Sequence, residues 1–270
     1  MLDPNDALAG LQRVPPRASA QSRRVLVVGA HGRLGWAVIE RLAADGRFER
    51  IGTLAHRGVH TAFRALAPMA DDDAVIARFA ADTAIVAFDR PQPSHARDGG
   101  EGASFVQPQP AELAALARRV HALGVTSLVV AMPHAPTLMS AALQQGLASL
   151  DEAEVASIGF AQLVFMRMAQ EGASGGGNDA ISAPQRVANW MLSQLHWLVP
   201  RSEQPVRLTT VAQAACALAL HLPAAPKATR VLPAQLMWRA AQTKDVEGLV
   251  RAWLFGEALP GYEAERLPRM

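Results

Sequence analysis

The chain has one cysteine and one tyrosine, and its only lysines are Lys227 and Lys244. A lone Cys216 excludes an internal disulfide and makes a reducing cytoplasm the expected compartment. With a single thiol and no Cys–His cluster, no metal site is expected. No apolar run reaches the ~18–20 residues a membrane-spanning helix needs. Residues 1–22 lack the continuous apolar core of a secretory signal and read as a flexible, polar, proline-containing leader. The formal net charge is only +2, and arginines are scattered among acids with no basic run. Nucleic-acid binding therefore has no support.

What the chain has is apolar material: half its residues are hydrophobic, enough for one large core. Short apolar, β-rich runs alternate with helical patterns. Strands are expected at 24–28, 50–54, 64–69, 83–88, 127–132 and 162–168. Helices are expected at 34–45, 110–123 and 137–158, and 90–102, rich in proline, glycine and charge, reads as a loop. This alternation predicts a doubly wound α/β domain with a parallel sheet over 23–170. Residues 171–270 are expected to form a small C-terminal lobe completing the same domain. Its expected elements are a flexible glycine-rich start at 172–179, a helix at 184–198 and a short strand at 206–208. A helix at 211–222 capped by Thr209 or Thr210, a strand at 229–232 and further helices follow.

The first strand runs into Gly29-x-x-Gly32-x-x-Gly35, at the start of a helix. In a Rossmann-type dinucleotide site the first glycine permits the tight turn, and the second lets the backbone approach the pyrophosphate. The third lets helix and strand pack closely, with the pyrophosphate on the helix N-terminus. The motif follows a strand, opens a helix and starts a βαβ series, the context that gives it meaning. An NAD site usually ends its second strand with an acid for the ribose 2′-hydroxyl, whereas an NADP site offers arginine. Here the strand ends Thr53-Leu54-Ala55-His56-Arg57. Arg57, helped by Arg33, suits a 2′-phosphate, so NADP(H) is expected ahead of NAD(H). The residues expected to contact the dinucleotide are Gly29, His31, Gly32, Arg33, Leu34, Gly35, His56, Arg57, Phe88, Ala131 and Met132.

The segments GAHGRLG, TLAHR, AIVAF, GVTSLVVAM and GFAQLVFMRMAQ resemble successive landmarks of the short-chain dehydrogenase/reductase superfamily, in its extended or atypical branch. They are most similar to small NAD(P)H-binding oxidoreductases of the Tat-interacting-protein type. There the strand corresponding to 163–167 ends in Arg-Pro, here Arg167-Met168. The run PVRLTTVAQAACALAL resembles the late strand and Ala-rich helix of those proteins. The resemblance implies a catalytic Ser with a Tyr-x-x-x-Lys pair that protonates the substrate oxygen while hydride passes. This chain departs from it. The Ser position falls on Met132-Pro133, and the Tyr and Lys positions fall near Gln144 and Ala148. Tyr262 and both lysines lie far downstream.

Other polar residues offer weak replacements. His134, just past a strand's carboxyl end, and Ser140 are the nearest candidates for catalysis. Asp71-Asp72-Asp73 reads as a solvated turn or helix cap rather than a metal cluster. Cys216 reads as a small core residue, and Trp190, Met191, Leu195 and Trp197 as core or cleft lining. The expected function is that of a pseudoenzyme that senses NADP(H) or serves in interactions, with a further small-molecule ligand or protein partner open. One alternative is an NAD(P)H-dependent oxidoreductase with a non-standard site, for example a quinone reductase. The other is a scaffold that has lost the cofactor.

Overall fold

The computed structural model describes residues 23–56, 63–89, 105–134, 150–169 and 206–260. Within them the apolar runs form β1 (Arg23–Val28), β2 (Phe48–Ala55), β3 (Leu66–Ala70) and β4 (Thr83–Ala87). β5 (Ser127–His134), β6 (Gln162–Ala169) and β7 (Ala228–Leu232) follow. The strands hydrogen-bond in the order β3-β2-β1-β4-β5-β6-β7, every pair parallel. The helices are α1 (Arg33–Asp45), α2 (Asp73–Phe79), α3 (Leu113–Ala122), α4 (Leu150–Ser157), α5 (Leu208–His221), α6 (Ala234–Ala240) and α7 (Val246–Phe255). The strand order reverses between β1 and β4. This is the doubly wound, Rossmann-type α/β fold that the alternation of runs predicted, with its switch point at the β1–α1 turn.

Side chains alternate across a strand, so each apolar run feeds two cores. Val25 and Val27 of β1 join Leu34, Val38 and Leu42 of α1 and the buried face of α5. Leu26 and Val28 point the other way, toward Ile76 of α2, Leu113 and Ala117 of α3 and Val155 of α4. α5 is buried almost all round, from Thr210 to Leu220, because it packs on β4, β5, α1, α6 and α7. A helix so enclosed has no broad wet face to mark with charge, which is why it carries no Asp, Glu, Lys or Arg. Cys216 lies inside it, 2% exposed, and burial pushes its thiol up to about 12. It is an unreactive core residue at neutral pH.

Two local expectations are corrected. Residues 206–208 form no strand: Val206 and Arg207 lead directly into α5, and Leu208 is its first residue. Neither Thr209 nor Thr210 caps that helix; Arg207 stands at the N-cap without a side-chain cap bond, and both threonines lie inside the first turn. The acidic run does hold a helix cap, as expected, but the helix it opens is one the periodicity does not show. Asp72 caps α2, accepting from the backbone N–H of Ala74 and Val75, while Arg119 of α3 bridges Asp71 and Asp73.

The far end of α1 carries an ionic knot. Arg47 contacts Asp45 at 2.5 Å and Glu247 of α7 at 2.6 Å, and His221 Nε2 lies 3.0 Å from Glu247. The hydrogen bond from Arg47 draws the Glu247 carboxyl down to about 2 from an ordinary 4.5. A depressed folded-state value means stability that is complete above about pH 4.5 and lost as pH falls toward 2. The pair is partly exposed, so water holds the effect to roughly 1 kcal/mol or less. Glu247→Gln should flatten the acid side of a melting-temperature profile between pH 5 and 2. An unchanged slope would show that the knot contributes nothing.

Candidate functional site

The β1–α1 turn lies at the carboxyl edge of the sheet, and its glycines are there for identifiable reasons. Gly29 has φ +100°, a left-handed conformation that side chains rarely adopt, and a Cβ there would strike the Ala87 carbonyl oxygen of β4. A Cβ on Gly35 would strike the Gly29 carbonyl oxygen and approach Ala30 Cα to 3.1 Å. The first and third glycines thus let α1 cross tightly over the strand end. Gly32 is the N-cap of α1. Its N–H is spent on Gly29 O at 3.2 Å, and its bare face points at the site.

That face meets a residue that sequence reasoning missed. Asp89, two positions past β4, sends Oδ2 to the backbone N–H of Leu34 at 2.8 Å. Its Cβ lies 2.8 Å from where a Gly32 Cβ would stand. A carboxylate from elsewhere in the chain therefore caps α1, in place of the side chain Gly32 does not have. Asp89 is itself held. Gln107 Nε2 donates to the Asp89 carbonyl at 3.2 Å and to that of Ala87 at 3.4 Å. The adjoining backbone is pinned to β2, with Phe105 bridged antiparallel to Ala55 and Val106 N–H donating to Leu54 O at 2.9 Å. Phe105 packs on Trp36 of α1, ring centroids 6.3 Å apart. Residues 105–107 thus strap the end of β2 to the end of β4, across the glycine turn between them.

The other expected contacts are distributed as follows. His31 is half-buried in the turn, and Arg33 and His56 are exposed at its rim. Phe88 and Ala131 meet through a backbone bond, Phe88 N–H to Ala131 O at 3.0 Å. Both residues are in the core, 2% and 0% exposed, so neither offers a surface to a ligand in this arrangement. β5 and β6 continue three residues past the end of β4, pairing Met132 with Arg167 and His134 with Ala169. Arg57, Ser140, Gln144, Ala148, Trp190, Trp197 and Tyr262 lie outside the described residues, as do 1–22 and 90–102.

Both lysines are placed away from this edge. Lys227 immediately precedes β7, at the amino edge of the parallel sheet. Lys244 lines a polar cavity of about 180 Å³ with Arg41, Asp45, Cys216 and Glu247. That cavity is at the opposite end of α1 from the glycine turn, roughly 20 Å away by helix rise.

One buried charge does lie near the carboxyl edge. Arg167, late in β6 and 7% exposed, donates NH2 to Glu152 Oε2 at 2.6 Å and Nε to Oε1 at 3.3 Å. Glu152, in the first turn of α4, is 2% exposed. The two-pronged pair fastens α4 to the strand. Arg167 carries the sequence signal, a cation inside an apolar strand that demands an acid, but Glu152 is not identifiable until α4 is placed.

Among the described residues no helix is long and apolar enough to cross a membrane. No group of three or more His, Cys, Asp or Glu could hold a metal there.

No protein-family model matches the sequence, and no curated protein matches it. Solved structures give distant likenesses. One is a UDP-glucose 4-epimerase from Brucella ovis in complex with NAD, 16% identical over 78% of this chain and 77% of that one, with a TM-score of 0.45. Another is a uronate dehydrogenase from Agrobacterium tumefaciens, 14% identical over 78% and 76%, TM-score 0.42. A third is a Rossmann-fold NAD(P)-binding family protein from Shigella flexneri, 13% identical over 65% and 87%, TM-score 0.35. These are likenesses of general chain path; the fold assignment rests on the strand order itself.

Proposed function

We propose that this protein binds a nicotinamide dinucleotide at the glycine turn, NADP(H) ahead of NAD(H), and serves as a sensor or interaction protein without the Tyr-x-x-x-Lys chemistry. The observation that carries the binding half is the crossing at the switch point, where Gly29 and Gly35 are held to glycine by backbone carbonyls and Gly32 puts no side chain of its own between the helix N-terminus and a ligand. The glycine turn suits the close approach of a pyrophosphate, with Asp89 in its way. Gly32, Arg33 and Leu34 would hold the diphosphate through the N-terminus of α1. His56 and Arg57, with Arg33, would meet the adenosine ribose and its 2′-phosphate. A bound nicotinamide would supply hydride chemistry. The non-catalytic half is supported by the position of both lysines away from the carboxyl edge and by Met132, Gln144 and Ala148 standing where the resemblance puts Ser, Tyr and Lys.

Thermal melts with NAD, NADH, NADP and NADPH in parallel test the reading. A ligand at a hundred times its Kd adds about 2.7 kcal/mol, so NADPH should raise Tm by roughly 5–10 °C for a chain of this size. The two forms without the 2′-phosphate should do less. No shift with any of the four would favour a scaffold without cofactor. Steady NADPH oxidation with carbonyl or quinone acceptors would make the protein an enzyme.

A further inference from the structure

We infer that Asp89 is a built-in competitor for the dinucleotide's pyrophosphate, an autoinhibitory contact that ligand binding must displace. The inference rests on the dinucleotide reading above and extends it to what regulates the site. The N–H of Leu34, the second residue of α1, already has an anionic acceptor at 2.8 Å. The face of Gly32 through which a pyrophosphate would approach is covered by the same side chain, its Cβ 2.8 Å and its Oδ2 3.5 Å from the position of a Gly32 Cβ. A carboxylate and a diphosphate cannot share one helix N-terminus: they compete for the same N–H groups, and each raises the cost of the other's charge.

Asp89 is positioned for this role. Gln107 grips its carbonyl, and Gln107 belongs to the strap pinned to β2 at Phe105 and Val106. The closed arrangement is therefore secured at both its side chain and its backbone. Only the fraction of molecules with Asp89 withdrawn is competent, and the apparent Kd is raised in proportion. A serine or asparagine would cap α1 as well. The negative charge is what makes this cap an exclusive rival of phosphate.

The test is calorimetric titration of the full chain with NADPH, beside ligand-free melts, for wild type, Asp89→Asn and Asp89→Ala. Asp89→Asn keeps the shape and an acceptor for Leu34 N–H but removes the charge. It should bind roughly tenfold tighter with little change in ligand-free Tm. Asp89→Ala should also bind tighter, yet melt lower without ligand, because the cap is gone. Should Asp89→Ala fail to fold, Asp89→Asn alone decides. Binding by either folded variant that is equal to or weaker than wild type overturns the competitor role and leaves the dinucleotide reading standing. No binding by wild type or variants overturns the dinucleotide reading and the inference with it.

Discussion

Glu152→Ala is expected to cost about 3–5 kcal/mol of unfolding free energy, the usual penalty for stranding one member of a buried ion pair. Arg167 cannot escape by giving up its proton, since a guanidinium stays charged at any pH the fold survives. It cannot turn to water either, being 7% exposed on a strand paired with β5 at Met132. Once the carboxylate is gone, the guanidinium loses its two-pronged counter-ion in a nearly dry environment, with Phe165 and Val155 in the adjoining core. Urea unfolding at pH 7, followed by far-ultraviolet circular dichroism, measures the loss. A paired replacement, Glu152→Leu with Arg167→Met, removes both charges and fills similar volume, so it should recover most of the stability. A single-variant loss under about 1 kcal/mol would show that Arg167 finds other partners and that the pair is not what fastens α4 to β6.

The same pair shows where sequence reasoning stops. The glycine turn was legible because its determinants are local: a strand, three glycines at fixed spacing and a helix, within Val25–Gly35. β1, β4, β5 and β6 were legible because strands buried on both faces are unbroken apolar runs. α2 was not, since its seven residues bury only Ile76, too few for a helical period, so the run of three acids read as a cap had no visible helix to follow it. Residues 206–208 suggested a strand because an apolar–charged–apolar triplet alternates like one, whereas Val211 to Leu220 make it the approach to an enclosed helix. Asp89 could not be found at all. Its partner, Leu34 N–H, is 55 residues away, and a carboxylate in the loop after a strand carries no mark of the helix it caps. The expected contact set was thus built from the turn outward, and it lacked the Asp89 side chain, which caps α1 there.

Gly35→Ala should reverse the sign that helix propensity assigns to it. In an open helix, replacing glycine by alanine gains about 1 kcal/mol, because glycine has more backbone freedom to lose on folding. Gly35 is in the first turn of α1, and a Cβ there runs into the Gly29 carbonyl oxygen, with the Gly29 carbonyl carbon at 2.6 Å and Ala30 Cα at 3.1 Å. These are backbone atoms and cannot rotate aside. Relief requires α1 to lift off the β1 turn, against the packing of Leu34, Val38 and Leu42 on the sheet and on α5. A net loss of roughly 3 kcal/mol is expected, at the upper end of overpacking penalties. The displaced helix would carry Leu34 N–H away from the phosphate seat, so the Tm response to NADPH should vanish with it. Gly46→Ala is the control. It ends the same helix with φ +72° and nothing within 4 Å of its Cβ, so it should cost only about 1 kcal/mol of backbone strain and leave the response to NADPH intact. If Gly35→Ala is as mild as Gly46→Ala, the tight crossing of α1 over the strand end is not what requires the third glycine. The dinucleotide reading would then lose the geometry it stands on.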